Sequence, residues 1–155
     1  MSSTSTCHLM VGERLSKITK FVDETEEFVI YDEKTGKPTN RKKMEKKGRI
    51  VFAGNIPDIE VKWVEKKYGH GNWSGIYRDD LEDRFEGLDV ECIPDRELLE
   101  GIIIGRKILD GGFDCSVVDT DITTLQEANA EVVQAFAKLG FEIEPDGVYM
   151  IHYYS

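Results

Sequence analysis

The sequence predicts a single α+β domain in which a mixed β-sheet carries two main helices on one face. The length of 155 residues is that of one typical domain. β-branched and aromatic residues cluster in the first 70 positions, as is typical of strands. After residue 88, strand-like and helix-like segments alternate, and right-handed crossovers would place both helices on the same face.

The N-terminal half is predicted to be an antiparallel meander that follows a disordered tail. Residues 1–12 begin with a Ser/Thr-rich stretch, so we expect a frayed tail there and the folded domain over 13–155. The segments LSKITKFV, EEFVIYDE, RIVFAG and IEVKWV are typical of strands. Residues 33–49 contain almost no apolar side chain and several loop formers, which predicts a mobile basic loop.

The two main helices are predicted in the C-terminal half, after a strand over LDVECI. The first covers RELLEGIIIGRKILD and contains Gly101 and Gly105, whose small size would allow close approach to a neighbouring backbone, for which we favour the sheet. The second starts at a capping box formed by Thr123 and Gln126 and stops at Gly140. FDCSVV is predicted to be the strand between them, and FEIE and VYMIHYY to form a closing hairpin.

Cysteine usage and hydropathy indicate a cytoplasmic protein. The three cysteines are widely separated and lack the spacing of zinc ligands, so we expect neither a metal site nor a disulfide framework. The N-terminus lacks the basic start and apolar run of a secretory signal, and no segment is apolar over the length that spans a bilayer. We therefore expect no membrane association, and no cofactor.

The charge is divided unevenly along the chain. Residues 1–70 carry 14 Lys and Arg against 11 Asp and Glu, a net charge of +3, whereas residues 71–155 carry 6 against 19, a net charge of −13. The C-terminal part would repel a phosphate backbone, and the pI of 4.8 argues against a broad nucleic-acid footprint.

A short acidic helix is predicted after Ser74, and it provides the first candidate site. Tyr77, Leu81, Phe85 and Leu88 recur at helical spacing and form an apolar stripe. Carboxylates recur on the opposite face, where they can complement a basic surface of a partner protein or imitate phosphates. The predicted partner-binding residues are Asp79, Asp80, Glu82, Asp83 and Glu86.

The basic loop provides a second candidate site, for nucleic acid. Its cations can neutralise phosphates, although no aromatic residue is interleaved with them to stack on bases. Nucleic acid is therefore an alternative partner only. The predicted contact residues are Arg41, Lys42, Lys43, Lys46 and Lys47.

A third candidate lies at the segment VVDTDITT, where Asp119-x-Asp121-x-Thr123 resembles the nucleophile loop of haloacid dehalogenase-type phosphatases. The resemblance implies that Asp119 attacks phosphorus, that Asp121 is the general acid and base, and that Mg²⁺ neutralises the phosphate. That fold needs further strands with a lysine and acidic ligands downstream, and few residues follow here. Capping of the next helix is the competing interpretation for Asp121 and Thr123.

The loop KKYGHGNWSG holds His70 between two glycines beside two aromatic residues. A histidine in such a loop can bind a ligand or shuttle protons, but the sequence shows no catalytic partner at a telling position. We favour a flexible turn whose Trp73 packs on the core.

The function predicted from these features is that of a non-enzymatic interaction module or inhibitor. Its acidic surface would dock on a basic protein, one that itself binds nucleic acid being a natural target. The alternatives are a small Mg²⁺-dependent phosphate-processing enzyme using Asp119 and Asp121, and a nucleic-acid-associated protein using residues 41–49.

Overall fold

The computed structural model describes residues 5–93, 96, 99–113, 122–145 and 147–154. This part of the chain is α+β, with ten strands in antiparallel sheets and three helices. The elements in chain order are β1 (Ser5–Arg14), α1 (Leu15–Ile18), β2 (Thr19–Asp23), β3 (Glu26–Tyr31), β4 (Pro38–Glu45), β5 (Lys47–Phe52), β6 (Ile59–Val64), β7 (Asn72–Ser74), α2 (Arg78–Arg84), β8 (Asp89–Cys92), β9 (Ile102–Phe113), α3 (Ile122–Lys138) and β10 (Gly147–Tyr154).

The first sheet has the strand order β10-β1-β9-β8, and each of these neighbours is antiparallel. β1 lies inside this sheet, with Met10 and Val11 buried. The expectation of a disordered tail is therefore wrong for residues 5–12. The Ser/Thr-rich start concealed a strand whose stability comes from partners far away in sequence.

The segment predicted as the first main helix is a strand over its described length. β9 lies between β1 and β8, so consecutive residues Ile102, Ile103 and Ile104 are buried against both faces of the sheet. A strand buried on both faces gives a continuous apolar run without a period of two, and β-branched side chains favour it. The predictions of two main helices and of a mixed sheet are thus wrong: α3 is the one long helix in the described residues, where every strand pair is antiparallel.

β1 and β9 approach each other closely at a pair of glycines. Gly12 and Gly105 are register partners, and a Cβ atom on Gly105 would lie 1.9 Å from the carbonyl oxygen of Val11. On Gly12 it would lie 2.5 Å from the carbonyl oxygen of Ile104. The close approach predicted for Gly105 is present, but between two strands of a sheet.

The second sheet has the order β2-β5-β6-β7, of which β5, β6 and β7 form a meander. The segment LSKITKFV forms a helical turn, α1, before it becomes β2. β3 and β4 pair only with each other in a separate two-stranded hairpin, which we call the arm. The expected mobile loop over 33–49 is wrong, because β4 and the start of β5 occupy most of it.

One hydrophobic cluster joins both sheets to α2 and α3. α3 contributes Ala128, Val132 and Phe136, which belong to the predicted apolar stripe. Its first residue is Ile122, so Thr123 lies inside the first turn and not at the predicted capping position. The sheets and α3 thereby provide the base on which α2 rests.

The C-terminal segments differ from the prediction. β10 pairs with β1, and residues 141–144 are not a strand, so the predicted closing hairpin is absent. Most of FDCSVV lies outside the described residues.

Two further observations bear on the expected cellular setting. The sulfur of Cys7 is in a disulfide bond, so the expectation that the chain has none is wrong, and the argument for a reducing compartment loses one of its supports. Among the described helices, none combines the length and the apolar character needed to cross a membrane.

Candidate functional site

The helix α2 holds the predicted acidic surface and is anchored by two buried side chains. Leu81 lies inside the helix and Phe85 caps its C-terminal end, and both are almost completely buried. Asp79 and Asp80 lie in the first turn and Arg84 in the last, an arrangement that complements the helix dipole. The helix is shorter than predicted, and Glu86 lies in the turn that follows it.

Two of the five predicted carboxylates are paired with arginines of the same helix. Glu82 accepts a hydrogen bond from Arg78 at 2.9 Å, and Asp80 forms an ion pair with Arg84. Asp79, Asp83 and Glu86 are exposed and form no ion pair within the part of the chain that the structure describes. These three are spaced at i, i+4 and i+7, which places them along one stripe between the two ion pairs. We call them the acidic stripe.

Arg78 also connects α2 to the first sheet. Its guanidinium donates to Glu91 at 3.0 Å, and the ammonium of Lys107 lies 2.5 Å from the same carboxylate. Glu91 is only 2% exposed, so its charge is stabilised by these cations. The hydrogen bond to Glu82, followed by the charge of Glu91, raises the pKa of Arg78 above its ordinary value. The helix start is therefore attached to β8 and β9.

The predicted nucleic-acid contacts lie on the arm and at its base. Arg41, Lys42 and Lys43 are exposed residues of β4, Lys46 follows β4, and Lys47 begins β5. Lys42 lies 3.3 Å from Glu27, and Lys47 lies 2.9 Å from Glu26. The hydrogen bond to Glu26 raises the pKa of Lys47, which keeps this pair ionised.

The remaining cations of this set have no carboxylate partner among the described residues. Arg41 and Lys43 extend from the arm, and the ammonium of Lys46 lies 4.8 Å from the ring centroid of Trp63. Three of the five predicted cations are therefore available for an anionic ligand.

The arm places apolar side chains beside these cations, which the sequence analysis did not foresee. In its register Phe28 is opposite Lys43 and Val29 is opposite Lys42. Phe28 is 44% exposed, although phenylalanine side chains are usually buried. The other exposed apolar residues of the arm are Val29, Ile30, Tyr31 and Met44. The interleaved aromatic residues that appeared to be missing are supplied by the neighbouring strand.

A cavity of about 820 Å³ opens at the edge of the core, beside the second sheet. Phe21, Trp63 and Trp73 line it, above a floor that includes Ile50 and Val61. The sequence analysis expected Trp73 to pack on the core but did not identify this cavity. The glycine-rich loop around His70 was the available signal, since its end leads into β7.

The phosphatase-like motif cannot be placed, because Asp119 and Asp121 lie outside the described residues. Within those residues, no group of three or more His, Cys, Asp or Glu side chains is arranged to hold a metal ion.

The chain matches no known protein family, curated protein or solved structure. Its function must therefore be argued from the acidic stripe, the arm and the cavity.

Proposed function

We propose that the protein is a non-enzymatic interaction module whose acidic surface docks on a basic partner protein. The observation that carries the proposal is the acidic stripe: Asp79, Asp83 and Glu86 are exposed and unpaired among the described residues, along one side of α2. The neighbouring arginines do not neutralise them, because Arg78 and Arg84 are paired with other carboxylates.

The attachment of α2 favours recognition of a matching surface. Phe85 is fully buried in the core and Arg78 is bonded to the buried Glu91, so both ends of the helix are held. Charges on a rigid element lose little conformational entropy when they bind, and complementary potentials raise the association rate and select the binding register. A stripe of carboxylates can also imitate phosphates. We therefore propose that the module acts as an inhibitor that competes with nucleic acid for its partner.

Reversing the acidic stripe tests this function. We expect the triple variant Asp79→Lys, Asp83→Lys, Glu86→Lys to lose a partner that the unaltered protein captures from host extract at low salt. Capture would be quantified by mass spectrometry, and the partner's binding to labelled nucleic acid would be measured with and without each protein. Loss of both capture and competition is the expected result, because steering by charge falls with the complementary potential.

A matched control separates local from global charge. The variant Glu65→Lys, Glu142→Lys, Glu144→Lys makes the same change in net charge at exposed positions away from α2. It should retain capture and competition. Equal behaviour of the two variants, with circular dichroism showing both folded, would refute a specific role for the acidic stripe.

We propose association with nucleic acid through the arm as a second candidate function. The observation that favours it is the register of the arm, which places exposed Phe28 beside Lys43. Cations next to aromatic faces suit a ligand that has phosphates and bases, and a two-stranded β-ribbon fits the major groove of DNA. The negative net charge of −10 requires that such contact be local to the arm.

Neutralising the arm tests the second function. We expect Arg41→Gln, Lys42→Gln, Lys43→Gln to weaken binding of labelled single- and double-stranded DNA and RNA in a mobility-shift assay. The slope of affinity against salt should fall by about 3, one unit for each lost phosphate contact. The control Lys62→Gln, Lys66→Gln, Lys67→Gln removes three exposed cations elsewhere and should leave the slope unchanged. Absence of binding by the unaltered protein would eliminate this function.

A further inference from the structure

The cavity beside the second sheet has walls made of aromatic rings. Phe21 and Trp73 contact each other with ring centroids 5.0 Å apart, and Trp63 and Trp73 do so at 5.3 Å. A Cβ atom on Gly48 would lie 2.5 Å from the ring of Phe21, and one on Gly71 would lie 2.7 Å from Trp63 Nε1. The two glycines therefore leave the space that these rings occupy.

The volume and lining of the cavity are those of a small-molecule site. About 820 Å³ lies within the usual range of roughly 300–1,000 Å³ for ligand pockets. Such pockets combine apolar walls with a few polar groups that orient the ligand. Here the polar lining residues are Ser16, Asn72, Arg96 and Glu100. The amide of Asn72 can both donate and accept hydrogen bonds, as recognition of the edge of a heterocyclic ring requires.

The charges around the cavity favour an anionic ligand. Glu100 is the one carboxylate among the described lining residues, and it forms an ion pair with Arg14 at 3.3 Å. Arg96 lines the cavity without a carboxylate partner in the described ranges. Lys46 adds a third cation, above the ring of Trp63. The immediate surroundings are therefore positive, although the chain as a whole carries a net charge of −10.

We propose that this cavity binds a nucleotide, with its base against the aromatic walls and its phosphate at Arg96. A nucleotide joins a planar π-face, a hydrogen-bonding edge and an anionic group, and each has a counterpart in the lining. Stacking of bases on aromatic side chains accepts any base, whereas a guanidinium can bind phosphate through two parallel hydrogen bonds. The proposal depends on neither the acidic stripe nor the arm.

The chain offers a direct reporter of this binding, because its two tryptophans, Trp63 and Trp73, both line the cavity. We expect adenosine 5′-monophosphate to change the tryptophan emission of the full chain in a saturable way. Adenosine should bind more weakly and inorganic phosphate should have no effect. A pentanucleotide of deoxyadenosine distinguishes two sources of the ligand: tighter binding than the mononucleotide indicates a single strand, and equal or weaker binding a free nucleotide.

Two variants connect the signal to the cavity. Phe21→Ala removes a wall that is already partly exposed and should weaken binding of the mononucleotide roughly tenfold, since one stacked base is lost. Arg96→Gln should weaken binding of the mononucleotide but not of adenosine, and Arg41→Gln, on the arm, should change neither. Isothermal titration calorimetry would verify each affinity. No saturable emission change with the mononucleotide, or unchanged affinity in both cavity variants, would overturn the proposal.

Discussion

Phe85→Ala is expected to lower the free energy of unfolding by about 4 kcal/mol, within the usual cost of truncating a buried phenylalanine. Phe85 is fully buried where α2 meets the core. Its ring centroid lies 5.6 Å from that of Phe52, 6.0 Å from that of Phe136 and 5.9 Å from that of Phe141. Truncation removes these contacts and leaves a cavity among rings that are held by both sheets and α3. Urea denaturation followed by circular dichroism would measure the loss.

Phe28→Ala is the matched control for this variant, because it removes the same atoms from an exposed position on the arm. Its effect should be about 0.5 kcal/mol or less, as is usual for surface substitutions. Both variants should unfold with the denaturant dependence of the unaltered protein. If Phe85→Ala were no more destabilising than Phe28→Ala, the core described here would be incorrect at the base of α2.

Gly105→Ala is expected to destabilise the fold by about 3 kcal/mol or more, which is at the upper end of the usual cost of overpacking. The added Cβ would lie 1.9 Å from the carbonyl oxygen of Val11 and 2.5 Å from the Cα of Gly12. Both atoms belong to the backbone of β1, so no side chain can move aside to relieve the clash. β1 and β9 would have to separate in the middle of the sheet. Thermal and urea unfolding would show the loss.

Gly36→Ala provides the comparison for the glycine substitution. Gly36 lies between β3 and β4 with a φ of 66°, and a Cβ atom there would meet nothing within 4 Å. The change should cost only about 1 kcal/mol, the penalty of a left-handed backbone for an L-residue. Equal stability of the two alanine variants would show that β1 and β9 are not as close as described.

The sequence predicted local elements well where their own periodicity was strong. α3 and the strands β5, β6 and β8 were recognised because each has an apolar pattern and a nearby boundary. β9 was misread, since a strand buried on both faces has the same continuous apolar run as a buried helix. β1 was missed because its burial depends on pairing with β9 and β10, which no local pattern reveals.

The candidate sites show the same division. Helical spacing predicted a shared face for Asp79, Asp83 and Glu86, and the i, i+4 pairs that neutralise Asp80 and Glu82 were also visible in the sequence. In contrast, the position of Phe28 beside Lys43 follows only from the register of β3 and β4. The aromatic cavity joins residues of β2, β6 and β7, and only the tertiary fold brings them together.

The position of β1 between β9 and β10 has a consequence for biosynthesis. This strand is among the first parts of the chain to leave the ribosome, yet one of its two neighbours is Gly147–Tyr154. At roughly 5–20 residues per second, translation takes several seconds to reach that segment. Until then Leu9 and Val11 have no completed sheet to enter, so the nascent chain has to keep an apolar strand from pairing with the wrong neighbours.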